Sequence, residues 1–316
     1  MQVHYGAVNP RHEDMMIGES RLFGAIEAGG TKFVCAIGDA SGAIHAEVRF
    51  PTADPDLTLA KVRGFLGDWR DGPAPSAIGV ACFGPIVLDR RSSKYGFIGN
   101  TPKAGWSDTD IAGMLAREFS CPVGFDTDVN AAALAEHRWG AGRDTKNLVY
   151  VTVGTGIGGG VLIEGVPLHG LLHPEIGHIH PRRHPLDANF AGVCPFHGDC
   201  LEGLASGPAI LARSGRELQH LDAAHIQWEL QADYLGQLCA QLVLTVSPQR
   251  IIIGGGVMAQ QRLFPLLRER MLHWLGGYVQ RAEILADIDH FVVPPGLGSR
   301  AGVLGALSLA VDASRA

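Results

Sequence analysis

Two stretches of this chain repeat one design: an apolar run, a glycine turn, and a second apolar run. The first is LFGAIEAGGTKFVCAIGD from Leu22, and the second is NLVYVTVGTGIGGGVLIEG from Asn147. Each reads as a β-hairpin, because glycine allows the tight reversal and the flanking β-branched and aromatic residues favour strands. One such hairpin opens each half of the chain, which points to an internal duplication of architecture rather than of residue identity. A third turn, in RIIIGGGVM from Arg250, reads as a strand followed by the start of a helix.

Helical periodicity fills the intervals. Leu59, Val62, Leu66 and Trp69 share one face, and so do Leu230, Tyr234, Leu238 and Leu242 in a helix predicted over 226–246. Ser107 and Asp110 have capping-box spacing and predict a helix carrying Ile111, Leu115 and Phe119. SAIGVACFGPIV reads as a buried strand, AIHAEVRF as a third strand of the first half, and AGVLGALSLAV as a closing apolar helix. This alternation gives an α/β chain of two lobes. Residues 1–20 read as a flexible leader in which Met15 or Met16 could be the start. Residues 21–122 form the first lobe, on which a helix over 301–316 packs back. Residues 123–300 form the second.

With 316 residues, 46% of them hydrophobic, the chain can build a large core. A net charge of −6 argues against nucleic acid as partner, since phosphate backbones are bound by clustered Lys and Arg. No run approaches the roughly 18 apolar residues of a membrane span, and the polar N-terminus has no signal-peptide core. A cytoplasmic location is the resulting expectation.

The turns Gly29-Gly30-Thr31-Lys32, Gly154-Thr155-Gly156 and Gly254-Gly255-Gly256 could each cradle a phosphate through backbone N–H groups. None has the P-loop or dinucleotide pattern. Three on separate strand ends favour a nucleotide held between lobes. Asp126-Thr127-Asp128 precedes an Ala-rich helix. An acidic pair there can cap the helix, or one carboxylate can face the cleft as a general base.

Cys194, His197 and Cys200 lie within seven residues, while the other four cysteines are scattered in apolar contexts. Disulfides rarely persist in the cytoplasm, and a redox pair would be Cys-x-x-Cys. Zinc is the leading reading, with four Cys and His ligands making a closed, structural site. His178 is the best fourth ligand, with His173, His180 and His184 as competitors. A metal would also hold the irregular loop 173–203 together.

Taken in order, these blocks resemble a known family: Ile26–Lys32, Asn100–Trp106, Asp126–Ala132, Gly154–Gly160, Glu175–His178 and Cys194–Glu202. They are similar to the ROK sugar kinases and repressors of the actin-like ATPase superfamily, which have a ribonuclease H-like fold with a cleft between lobes. The zinc-containing fructokinase branch is the most similar. The resemblance implies Asp128 as catalytic base. It implies ATP contacts from Gly29, Gly30, Thr31, Lys32, Gly154, Thr155 and Gly156, with Gly254, Gly255 and Gly256 near the adenosine. Sugar contacts would come from Asn100, Thr127, Asp128, Glu175, His178 and Glu202. The metal ligands would be His178, Cys194, His197 and Cys200, so that zinc folds the loop carrying Glu175 and Glu202 to the sugar. Mg²⁺-ATP, a hexose (fructose foremost) and a homodimer complete the implied picture. Glu27 stands where the family usually has Asp, and Thr127 where it usually has Asn. The Cys-x-x-His-x-x-Cys spacing replaces a cysteine-richer block, which leaves His197 less anchored as a ligand than Cys194 or Cys200. Kinases for mannose, glucose or N-acetylmannosamine are the alternatives. A repressor would add an N-terminal helix-turn-helix domain, for which about twenty residues before the first strand are too few. A zinc hydrolase would need an open coordination position.

Overall fold

The computed structural model describes residues 21–101 and 103–315, so the predicted leader over 1–20, Pro102 and Ala316 lie outside the described residues. The first sheet contains β1 (Leu22–Ala28), β2 (Lys32–Asp39) and β3 (Ile44–Pro51). Helix α1 (Pro55–Gly67) separates them from β4 (Ile78–Cys82). Next come α2 (Ile111–Phe119), β5 (Val123–Thr127) and α3 (Asp128–Trp139). The second sheet starts with β6 (Leu148–Val153), β7 (Ile157–Ile163) and the short β8 (Val166–Pro167). An irregular stretch leads to α4 (Leu201–Ala205), α5 (Gly207–Ser214) and α6 (Gln227–Thr245). The chain closes with β9 (Arg250–Gly254), α7 (Leu263–Leu275), α8 (Ala282–Leu285), α9 (Ile288–Phe291), β10 (Val292–Val293) and α10 (Ala301–Ala313).

The two sheets share one topology. The first runs β3-β2-β1-β4-β5 and the second β8-β7-β6-β9-β10, which is the same order counted from the start of each half. In both, the hairpin strands pair antiparallel and the last two strands add in parallel. The duplication inferred from the two glycine-turn hairpins is thus present in the strand order. β5 hydrogen-bonds β4 across Ile78↔Val123 to Cys82↔Thr127, so residues 123–127 lie in the first sheet, whereas the expected lobe boundary at 122 had placed them with the second.

Helices α3 and α10 lie between the sheets. Their side chains form one core with Phe23 and Ala25 of the first sheet and Leu148, Tyr150 and Ile252 of the second. α10 is apolar all round, which suits a helix buried on every side. It approaches the first sheet so closely that a Cβ on Gly79 would come within 1.8 Å of the Ala306 carbonyl oxygen; only glycine fits there. α1 and α2 cover the outer face of the first sheet, and α6 and α7 that of the second. The cap of α2 is Asp110, whose carboxylate accepts from Gly113 N at 2.8 Å. Ser107, the expected cap, instead bonds the backbone of Thr101 and closes the 101–107 loop. No helix among the described residues is long and apolar enough to cross a membrane.

Candidate active site

Parallel strands deliver their C-terminal ends to one side of a sheet, and ligands of α/β folds gather there. β5 ends at Thr127, and its next residue begins α3. Three neighbouring residues therefore receive three different environments. Thr127 is the helix cap: its hydroxyl accepts from Asn130 N at 3.1 Å. Asp126 is 3% exposed and accepts from Thr127 N (2.7 Å) and Asn130 Nδ2 (2.8 Å), with His169 Nε2 at 2.9 Å. Asp128 takes one bond, from Val129 N at 2.9 Å, and the rest of its carboxylate has no partner among the described residues.

Asp128 stands where two cavities meet. One, of about 570 Å³, has Glu27, Lys32, Tyr150 and the turn Gly254–Gly256 in its walls. The other, of about 430 Å³, is walled by the turn Gly154–Gly156 together with Glu175, His178 and Glu202. Asp128, Val129 and Thr152 belong to both. Burial pushes the Asp128 carboxyl up to about 7, with the nearby Glu27 and Glu175 charges adding to it and the Val129 N–H opposing it. A carboxylate so placed takes up a proton readily near neutral pH, as a general base requires. Glu27 is also raised, by burial first, with Lys32 pulling the other way and the Val303 N–H at the start of α10 holding the ionised form. A third cavity, of about 530 Å³, opens beside the second glycine turn and is lined by Thr155, Gly207, Leu218, Gly256 and Val257.

The second turn is tied to the loop that carries the cysteines. Glu202, in the first turn of α4, accepts from Ile157 N at 2.9 Å. A Cβ on Gly156 would sit 2.6 Å from the same carboxylate oxygen, so a side chain there would expel Glu202. Gly207 N donates to Gly154 O at 2.7 Å and fixes the other end of the turn.

The four expected metal ligands converge. His178 Nδ1 lies 3.5 Å from Cys200 Sγ and 3.8 Å from Cys194 Sγ, and His197 Nδ1 lies 3.7 Å from Cys194 Sγ. All four donor atoms fall within 4.8 Å of one another. Zinc–sulfur and zinc–nitrogen bond lengths place tetrahedral ligand atoms roughly 3.3–3.8 Å apart, so the residues present fit this ion. No disulfide joins the two cysteines. The competing histidines are engaged elsewhere: His173 faces Glu175, His180 faces Asp199, and His184 accepts from Leu186 N. Paired backbone bonds between Cys194 and Gly198 shape the ligand loop, and Leu201 N donates to Ile179 O, joining it to the His178 turn.

Of the residues singled out from the sequence, Lys32, Thr127, Asp128, Gly154, Thr155, Gly156, Glu175, His178, Glu202, Gly254, Gly255 and Gly256 line the cavities. Gly29, Gly30 and Thr31 form the β1–β2 turn at the rim, outside those walls, and Asn100 stands exposed on its loop. Sequence reasoning gave no site role to His169, to Gly84 and Pro85, or to His173 beyond a competing metal ligand. The one available signal was His173-Pro174 directly before Glu175.

With this geometry in view, the likeness to known proteins becomes specific. The model of the ROK family matches residues 23–313. The chain belongs to the ROK family. Among ROK relatives, a putative fructokinase of Bacillus subtilis is 46% identical over 93% of this chain and 97% of its own length. A fructokinase of Zymomonas mobilis is 45% identical over 94% and 99%. The crystal structure of a ROK hexokinase from Thermus thermophilus superposes with a TM-score of 0.75 at 28% identity, covering 93% of this chain and 99% of that one. The two-lobed α/β architecture is accordingly the actin-like ATPase fold of ROK sugar kinases.

Proposed function

We propose that this ROK protein is a fructokinase that transfers the γ-phosphoryl group of Mg²⁺-ATP to the 6-hydroxyl of D-fructose. The observation that carries the chemistry is Asp128, a proton-avid carboxylate on the wall shared by two cavities. One cavity is bordered by the turn Gly254–Gly256 and Lys32, suited to phosphates; the other is bordered by acids and imidazoles, suited to hydroxyls, with the turn Gly154–Gly156 in the same wall. Fructokinases at 40–46% identity over most of the chain support fructose as the acceptor.

In this reading the sugar hydroxyl gives its proton to Asp128 as its oxygen attacks the γ-phosphorus in line, and the bond to ADP breaks. Phosphoryl transfer needs positioning and charge neutralisation more than covalent help. Lys32 and the turns Gly29–Thr31, Gly154–Gly156 and Gly254–Gly256 hold the nucleotide, whose Mg²⁺ arrives with it and neutralises phosphate charge. Asn100, Thr127, Glu175, His178 and Glu202 surround the sugar; the Thr127 hydroxyl, which accepts from Asn130 N, keeps its own O–H to donate. His178, Cys194, His197 and Cys200 would hold a zinc ion that cross-links the loop. A cytoplasmic homodimer is part of the same reading, and sedimentation velocity tests the dimer.

The deciding assay is ADP release from purified protein with Mg²⁺-ATP and a panel of fructose, mannose, glucose and N-acetylmannosamine. Fructose is expected to lead by about tenfold or more in kcat/KM, or ~1.4 kcal/mol of transition-state preference. A different leading hexose would transfer the reading to that sugar. Silence with every hexose, while ATP still binds, would end it.

A further inference from the structure

His173 is 9% exposed, and its ring lies in the wall of the cavity that also holds Asp128, Glu175, His178 and Glu202. Nδ1 is 3.4 Å from Glu175 Oε1. Nε2 is buried and has no hydrogen-bond partner among the described residues. The ring abuts the backbone of Gly84, across the cleft in the first lobe, where a Cβ would be 3.5 Å from the imidazole Cε1. Buried polar atoms in folded proteins nearly always have partners, and an exception in a cavity wall asks what supplies the missing one. A neutral imidazole has one donor and one acceptor nitrogen. In the tautomer that keeps the proton on Nδ1, the nitrogen beside Glu175, Nε2 is an acceptor, and an acceptor matches an alcohol hydroxyl and not a phosphate oxygen.

We propose that His173 is a specificity-determining residue: its Nε2 accepts a hydrogen bond from a hydroxyl of the hexose, with the Glu175 carboxylate beside Nδ1 favouring the proton there. The proposal deepens the sugar-kinase reading and rests on it. A buried acceptor built to meet a hydroxyl penalises an epimer or isomer that presents none at that point, because the acceptor then stays unpaired. His173 lies on the second-lobe loop and touches the first lobe at Gly84, so the hydroxyl would be read where the lobes meet.

Three variants test this. His173→Gln keeps a polar atom near the position of Nε2, His173→Asn keeps one only near Nδ1, and His173→Phe keeps the ring shape with neither. Steady-state kinetics with the hexose panel are read alongside KM for ATP and circular-dichroism melts. His173→Phe and His173→Asn are expected to raise KM for the preferred hexose about 10- to 100-fold and flatten the ranking of hexoses, with KM for ATP within about twofold. His173→Gln is expected to recover most of the preference. A folded His173→Phe with unchanged hexose KM and ranking overturns the proposal while leaving the kinase reading intact. Variants that all lose the cooperative melt would make His173 a structural residue and overturn it equally. A wild-type protein inactive on every hexose removes the kinase reading, and this proposal with it.

Discussion

β5 ends between two aspartates, and the position of that end gives them different chemistry. Asp126 still belongs to the strand and is consumed by three partners, Thr127 N, Asn130 Nδ2 and His169. Replacing it with Ala strands those donors, and denaturant titration should show a loss of ~2–4 kcal/mol. Asp128 belongs to the helix and faces the cleft with most of its acceptor capacity free. Asp128→Asn should lower kcat by about a thousandfold or more while KM for the sugar changes little. Its raised pKa, about 7, also fixes a pH limb. Below pH 7 the group is protonated and cannot act as base, so kcat/KM should fall about tenfold per unit, an effect absent from any residual activity of Asp128→Asn. The same shift has the opposite sign for stability. The folded protein binds this proton more tightly than the unfolded chain, so the contribution is full below the ordinary aspartate pKa and is lost as pH rises through 7. The Asn variant should therefore melt higher than wild type at pH 8.

At the scale of elements, the loop between β8 and α4 contains only short 3₁₀ turns and depends on its cross-links. If zinc is the principal one, purified protein should carry about one equivalent, and chelation should lower the melting temperature and raise KM for the sugar more than for ATP. Cys200→Ser should reproduce both effects; a metal-free protein unmoved by chelator would remove the metal from the account. Much of the element structure was legible in advance. The stripe through Leu230, Tyr234, Leu238 and Leu242 announced α6, and the glycine turns announced the antiparallel pairs β1–β2 and β6–β7. Alternatives that depend on tertiary partners were not readable. Ser107 and Asp110 both have capping chemistry, and only the closure of the 101–107 loop assigns the cap to Asp110. Likewise, a pattern can place Asp128 beside Thr127, but no pattern reveals that two cavities share its wall. Glu136 was silent for the same reason, since two of its three partners are backbone N–H groups far away in the chain.

That residue matters to the whole molecule. The chain passes between the sheets after α3 and returns before α10. The buried Glu136 accepts from Ala141 N (2.7 Å) at the first passage and from Gly296 N (2.9 Å) and Leu297 N (3.0 Å) at the second. One carboxylate therefore joins both connections. Glu136→Gln turns an NH₂ toward one of these donors, and urea unfolding should register a loss of ~1–3 kcal/mol. Small-angle scattering with and without sugar and nucleotide should show whether the variant also changes lobe closure, for which hinge segments of this kind are the natural pivots. The Glu202–Ile157 bond has a different reach. It joins the cysteine loop to the glycine turn Gly154–Gly156, so in the proposed reading an ion that orders the first and a nucleotide that orders the second would act on one shared strut. Linkage then demands reciprocity: whatever factor zinc adds to ATP affinity, ATP must add to zinc affinity. If the cluster holds zinc and that factor exceeds one, a zinc-poor cell would leave the metal best retained on the nucleotide-bound form.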